Sequence, residues 1–304
     1  MRPILFHIPG LDTPIYAYGV MLGLAFIAGW YLTFYFTSRE GLPYKAVTWS
    51  LVLTIVFALV GARIAHIISN ATWDQIRLHG LLQVIFASRC EGLVAYGGFI
   101  GGALASAVYC KLRKIDYWSL VDCGAPGIAL GLGMTRIGCF MAGCCHGVPT
   151  NGPLGMVFPD GSQAARVFPD PSASLAHPHS LAVYPTQIFE SVLGLFILFP
   201  LSLWILRRRK FTGQAFLTLV ALYSIGRFSL EMIRGDDDRG MVFDLFSTSQ
   251  FIALCLLPVV IGLFIYRWKT APAPPEPLSK EEVEKSLIQQ GIIKASEAKY
   301  GKKR

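Results

Sequence analysis

Charge is scarce in this sequence. Only 15% of its 304 residues are Asp, Glu, Lys or Arg, where a soluble globular domain carries about a quarter. The shortfall sits in long apolar runs, with 53% hydrophobic residues and a mean hydropathy of +0.50. A soluble domain is therefore excluded. A cleavable leader is also missing, because residues 1–14 hold one Arg and no seven-residue apolar stretch before a small-residue cleavage site. The first apolar run thus reads as an uncleaved membrane helix. No internal repeat and no pair of broken helices appears, which argues against a transporter. No second, separated Cys or His pair accompanies the one cysteine cluster, so the spacing of a zinc finger or ribbon is absent.

What charge there is lies at the ends of apolar runs. The formal net charge of +8 therefore reports membrane orientation rather than a nucleic-acid partner, and none is expected. A helix that crosses ~30 Å of hydrocarbon needs about 20 apolar residues. Residues 15–36, 47–68, 93–110, 118–136, 184–206, 214–233 and 247–266 meet that need. The run 81–87 is too short to cross and is assigned to the surface or to a re-entrant segment. Arg39 and Lys45, then Lys111, Arg113 and Lys114, then Arg207 to Lys210, then Arg267 and Lys269 follow the odd-numbered spans. The positive-inside rule then places the N-terminus outside and the C-terminus in the cytoplasm. The expected fold is an all-α integral membrane protein of about seven transmembrane helices with a small external cap. The membrane domain runs over 1–269, with the cap at about 140–183, built of turns and short strands. A Pro-rich and charged cytoplasmic tail, 270–304, follows, with a short helix beyond Lys280.

Ionisable groups inside a bilayer cost about 2.5–3.5 kcal/mol each, so they mark candidate sites. Tyr223, Arg227 and Glu231 recur every four residues and share one helix face, with Arg234 beyond them. A structural Arg227–Glu231 pair has even odds and excludes no role in a site. Arg136 lies among small residues in Gly131-Leu-Gly-Met-Thr-Arg136-Ile-Gly138. Snorkelling is the common reason for such an arginine, but the glycines leave room for a lipid phosphate to reach its planar fork. Arg63 and His66 lie three apart, and Gln187 and Glu190 share a face. Glu190 is assigned to Arg63 as a structural partner. Four glycines between Tyr96 and Gly102 suit either a cavity lining or a tight helix crossing, with Tyr96 at its mouth.

Cys139, Cys144 and Cys145, followed by His146, form the densest reactive cluster. Packing of small residues is the first reading. A disulfide from Cys139 to Cys144 or Cys145, or a metal site, are the alternatives. Cys90, Cys110, Cys123 and Cys255 read as packing or boundary residues.

Several stretches, taken in order, resemble the prolipoprotein diacylglyceryl transferases. They are Ala17-Tyr-Gly-Val-Met21, Gly61-Ala-Arg63, Tyr96-Gly-Gly-Phe-Ile-Gly101 and Gly133-Met-Thr-Arg-Ile-Gly-Cys-Phe140 with Gly147. Tyr184-Pro-Thr-Gln-Ile-Phe-Glu190, Tyr223-Ser-Ile-Gly-Arg-Phe-Ser-Leu-Glu231 and Ser249-Gln250 continue the series. The resemblance implies a seven-helix plasma-membrane enzyme with an external head. It implies transfer of the diacylglyceryl group of phosphatidylglycerol to the lipobox cysteine of a prolipoprotein, next to its signal peptide, with release of glycerol 1-phosphate. Membrane lipids are the surroundings, and neither cofactor nor metal is called for. By resemblance Arg136 binds the phosphatidylglycerol headgroup and Arg227 is a second essential arginine, with Tyr223 and Glu231 on its helix. Tyr18, Gly98 and Gly147 join the lipid site, and Tyr96 joins the catalytic set. The sequence departs from the family where Cys139 stands for a usual asparagine, Cys144 for an acid and Tyr96 for a frequent histidine. It reads as a diverged, Cys-rich member.

The reaction needs a thiolate and a neutralised leaving phosphate, and two arginines in a low-dielectric chamber supply the latter. Tyr96, Glu231, His146 or the arginine field are the candidates for deprotonating the thiol. Rival readings are a membrane thiol–disulfide oxidoreductase using the three cysteines, and a paralogue acting on another lipid or acceptor.

Overall fold

The computed structural model describes residues 4–7, 14–70, 95–174, 177–235, 241–242 and 245–293. Two short strands, β1 (Ile4–His7) and β2 (Pro14–Tyr16), pair antiparallel and lead into helix α1 (Ala17–Arg39). Helices α2 (Tyr44–Asn70), α3 (Ala95–Arg113) and α4 (Tyr117–Ala142) follow, then the one-and-a-half-turn α5 (Gln163–Val167). Helix α6 (Thr186–Val192) runs through a wide π turn, Leu193–Leu198, into α7 (Phe199–Arg208). Helix α8 (Gln214–Glu231) precedes a small hairpin of β3 (Met241–Val242) and β4 (Phe246–Ser247). Helices α9 (Thr248–Thr270) and α10 (Lys280–Gln289) complete the described chain.

Among the described residues five segments are long and apolar enough to cross a membrane: Ala17–Arg39, Tyr44–Ile68, Tyr117–Ala142, Thr186–Arg208 and Thr248–Thr270. The two other spans expected from sequence fall on α3 and α8, which are not among those five. Glycine contributes little hydropathy to α3, and Arg227 and Glu231 interrupt α8. The exposure pattern is that of a protein whose solvent is apolar. Ile27, Tyr31 and Phe196 are 69%, 70% and 72% exposed, while Asp122, Glu190, Arg227 and Glu231 are buried. The short run at 81–87, and Cys90 beside it, lie outside the described residues.

The chain divides into two compact units. One comprises Met1–Phe36 and Val121–Pro275, the other Thr37–Leu120 and Glu276–Arg304.

The smaller unit is organised by the pairing of α2 with α3. Its glycines make a tight crossing rather than line a cavity. A Cβ on Gly61 would overlap the Gly97 carbonyl, and one on Gly101 would overlap the Phe57 carbonyl. Gly98 and Gly102 rest on Ala58 and Thr54 in the same way, with the virtual Cβ atoms 3.2 Å from those carbonyl oxygens. Backbones that approach this closely gain dispersion without needing a hydrophobic drive, which lipid does not provide. A buried hydrogen bond between the Ser50 and Ser106 hydroxyls, 3.1 Å, fixes the register. Asp116 caps α4 by accepting from Trp118 N and Ser119 N. The tail closes on the same unit. Leu278 N donates to Arg39 O at 2.7 Å, and Tyr44 N donates to the Gln290 side chain at 2.7 Å. Ser279 and Glu282 form a capping box that starts α10.

In the larger unit, α4 is the central rod. Gly127 packs on Gly29 of α1, and Gly133 packs on Gly194, where the π turn widens the helix. Asp122 of α4 is fully buried and accepts from Arg209 Nη1 (3.0 Å), Gly213 N (2.7 Å) and Phe216 N (2.9 Å). Its carboxylate thereby caps α8 from another helix, since Gly213 has no side chain to do so. Arg267 of α9 donates to Thr212 O and Oγ1 just before that cap. Between α4 and α6, residues 143–174 and 177–185 form turns and isolated antiparallel bridges around a small core of Phe158, Ala164 and Val183. Ser162 caps α5 there through Ala165 N.

Two substitutions test these joints by thermal unfolding in detergent. Gly61→Leu should destabilise the chain by about 3 kcal/mol or more, because neither backbone can yield. Asp122→Ala should cost about 3–5 kcal/mol, since Arg209, Gly213 N and Phe216 N lose the buried carboxylate that accepts from them. Parental melting in either variant would remove the corresponding joint from the account.

Candidate functional site

The polar stripe of α8 meets α6 and α4 around one carboxylate. Thr186–Val192 presents Glu190, whose side chain is 4% exposed. Its Oε2 pairs with Arg136 Nε from α4. Its Oε1 receives Arg227 Nη1 at 3.2 Å and Arg234 Nη1 at 3.1 Å. Arg227 also pairs, one turn on, with Glu231 through Nη2, and it donates to Ser249 Oγ at 3.4 Å. Glu231 accepts from Ser247 Oγ at 3.0 Å, the same hydroxyl that caps α9 through Gln250 N. The first turn of α9, which carries the Ser249-Gln250 pair, is thus tied to the cluster.

Among the described residues three guanidiniums converge on Glu190, and Arg136 is the one that reaches the surface. Its side chain is 20% exposed, against 7% for Arg227 and 2% for Arg234. Among the described residues it bonds only through Nε, leaving both terminal nitrogens without a partner. A planar fork of that kind matches two oxygens of a phosphate.

Other expected residues gather here. Tyr223 lies within electrostatic range of Arg136, and Tyr18 lies in range of Arg136 and the three cysteines. Gly138 lets α1 approach, with its virtual Cβ 3.1 Å from the Tyr18 Cα. Gly147 forms an antiparallel bridge with Arg234, and a Cβ there would stand 2.6 Å from the Ile233 carbonyl oxygen. Its N–H is bonded to Tyr184 O at 2.8 Å. Glycine at 147 therefore serves the backbone contact that brings Arg234 to Glu190. Tyr96 and Gly98 belong to the smaller unit, where Tyr96 opens α3 and Gly98 packs on α2.

Where the sequence assigned Glu190 to Arg63, the partners found are Arg136, Arg227 and Arg234. Arg234 lies beyond the end of α8 and is placed by its antiparallel bridge to Gly147. His146 is fully buried in the 143–185 segment with its ring edge-on to Phe168, and Nδ1 is 3.1 Å from Gly147 O.

The described cysteines are all free thiols. Gly143 and Cys145 both have positive φ, 70° and 63°, and the turn folds Cys144 and Cys145 back onto Cys139. Gln187 Nε2 donates to Cys144 O and Thr186 Oγ1 to Cys145 O, both at 2.7 Å, anchoring the turn to α6. Hydrogen bonds from the Cys139 and Cys144 thiols hold the Cys145 thiol well below its usual range, helped by Arg234 and Arg136. Cys144, as a donor to its neighbours, is pushed up.

Glu190→Gln should destabilise the protein by about 3–5 kcal/mol, because three arginines lose their common anion. Its melting temperature, compared with the parent in the same detergent, is the check. An unchanged value would mean that the cluster is not held by this carboxylate.

Comparison with known proteins bears on what this geometry is for. Residues 3–268 match the family described as prolipoprotein diacylglyceryl transferase. The chain is 36% identical over 270 residues to phosphatidylglycerol--prolipoprotein diacylglyceryl transferase 2 of Clostridium perfringens, covering 88% of this chain and 94% of that one. It is 32% identical over 268 residues to the Clostridium tetani phosphatidylglycerol--prolipoprotein diacylglyceryl transferase, covering 88% and 97%. A Bacillus cytotoxicus protein of the same name is 28% identical over 288 residues, 91% of this chain and 100% of that one. The chain belongs to the prolipoprotein diacylglyceryl transferase family.

Proposed function

We propose that the protein moves the diacylglyceryl group of phosphatidylglycerol onto the lipobox cysteine of a prolipoprotein and releases glycerol 1-phosphate. The observation that carries this reading is Arg136, part-exposed at the edge of the buried arginine cluster, with both terminal nitrogens unpaired among the described residues. The names of the relatives supply the substrates.

The reaction is a displacement at carbon. A thiolate sulfur attacks the glycerol carbon that bears the phosphate, a C–S bond forms, and the C–O bond to phosphate breaks. The electron pair leaves on the phosphate oxygen, so the site must be most favourable to anionic charge as that bond opens. Arg136 receives the phosphate through its unpartnered terminal nitrogens. Arg227 and Arg234, fixed by Glu190 and Glu231, supply the field behind it. Tyr18 and Tyr223 flank the headgroup, and Gly147 acts by holding Arg234 in place. Tyr96 and Gly98 are assigned to the catalytic and lipid-binding sets by the family resemblance. Tyr96, Glu231 and His146 remain the groups available to accept the thiol proton, and a thiol of ordinary pKa needs only modest help.

In the membrane the seven long helical segments, α3 and α8 included, are spans, with the N-terminus outside and the C-terminus in the cytoplasm. The basic residues after the odd-numbered spans support that orientation. The 143–185 segment is then the external cap, beside which the signal-peptide region of the prolipoprotein enters. The lipid arrives sideways between helices of the bacterial plasma membrane. The membrane domain ends near residue 269, and the tail beyond it is outside the chemistry.

Arg136 is the residue to change, because Arg227→Ala also strips two buried carboxylates and confounds fold with function. Arg136→Gln should lower transfer by about 10²–10³-fold in purified protein given labelled phosphatidylglycerol and a lipobox peptide. The melting temperature of that variant should stay near the parent's. Undiminished transfer by Arg136→Gln, or no transfer by the parent, would sink the proposal.

A further inference from the structure

We infer that Cys139, Cys144 and Cys145 form a three-thiolate site for a thiophilic d10 cation, either Zn(II) or Cu(I). The ligand atoms of the three cysteines all lie within 4.8 Å of one another. Zn–S bonds of about 2.3 Å in tetrahedral array place sulfurs about 3.8 Å apart, so a contraction of under about 1 Å closes the trio on an ion.

The backbone is built for it. Successive side chains along an extended segment point apart, yet Cys144 and Cys145 are neighbours whose sulfurs meet. The left-handed conformation at Cys145, φ 63°, makes that possible. For a non-glycine residue this conformation costs on the order of 1–3 kcal/mol. Cys139 is fixed from the other side by the last turn of α4. The Cys144 thiol also lies 3.7 Å from Cys139 O, and the two anchors to α6 hold the turn closed.

Chemistry and charge select the class of ion. Thiolates prefer soft or borderline cations, and three of them leave Zn(II) one open position or satisfy three-coordinate Cu(I) outright. The bound trio carries surplus negative charge, and Arg136 and Arg234 are the nearby cations that act on these sulfurs. A disulfide would use two sulfurs and leave the third without a purpose. The ion would tie the end of α4 to the turn that leads into Gly147, and so brace the approach of Arg234 to Glu190. This inference does not depend on the transferase reading.

The test uses the full-length protein purified in detergent under reducing, oxygen-free conditions. Zn(II) and, separately, Cu(I) are titrated against competing chelators, with metal counted by elemental analysis after desalting. One equivalent of either ion should be retained, and Co(II) in its place should give thiolate-to-metal charge-transfer absorption. Cys144→Ser and Cys145→Ser replace half-buried thiols and should each weaken retention by at least about 100-fold. Cys255→Ser, an exposed thiol on α9, should leave retention unchanged. The proposal fails if the parent retains neither ion, or if Cys144→Ser and Cys145→Ser hold it as tightly as the parent. It also fails if alkylation-trapped membranes yield a peptide pair joined by a disulfide from Cys139 to Cys144 or Cys145.

Discussion

The larger unit depends on a single carboxylate that neutralises more than its share. Glu190 offers two oxygens to three guanidiniums drawn from α4, α8 and the turn beyond α8. In a low-dielectric interior each of those cations would be strongly disfavoured alone. Gathered on one anion, with Glu231 as a second, they become a stable arrangement. Arg136 is the least buried of the three, and among the described residues its terminal nitrogens stay clear, so the cluster that braces the fold also presents a planar fork at its edge.

The structure solves the membrane problem twice over. Helices that have no hydrophobic reason to associate in lipid are brought together by close backbone approach, at Gly61 and Gly97, at Gly29 and Gly127, and at Gly133 and Gly194. Buried polar groups are then satisfied from neighbouring helices rather than from water. Asp122 caps α8 from α4, Ser247 caps α9 while bonding Glu231, and Ser191 Oγ donates to Gly133 O at 2.9 Å. Asp122 sets the start of α8, which carries Arg227 and Glu231, and the Gly133–Gly194 contact sets α4, which carries Arg136, against the helix that continues from Glu190.

Much of this was legible from one sequence. The apolar runs gave the long helices, since about 20 apolar residues have few other fates. The fourfold spacing of Tyr223, Arg227 and Glu231 gave one face of α8, and the Arg227–Glu231 pair followed. The small residues around Arg136 pointed to an accessible guanidinium, and the ordered motifs pointed to the family. The partner of Glu190 was not legible, because sequence spacing ranks neighbours only along one helix and Arg63 was as good a choice as Arg234. The glycines of α3 allowed either a cavity or a crossing, and only the facing glycine of α2 decides between them. The cysteine trio was equally open, because the left-handed turn at Cys145 has no marker in its residue type.

The sequence by itself determined which segments seek an apolar solvent, which of their residues are ionisable, and which of those share a helix face. Those properties are local and periodic, so composition and spacing carry them. The tertiary structure alone decided which charges from different helices meet, which one is left facing outward, and whether three thiols converge. Such outcomes rest on contacts between distant segments, where a shift of one residue or one turn would exchange every partner.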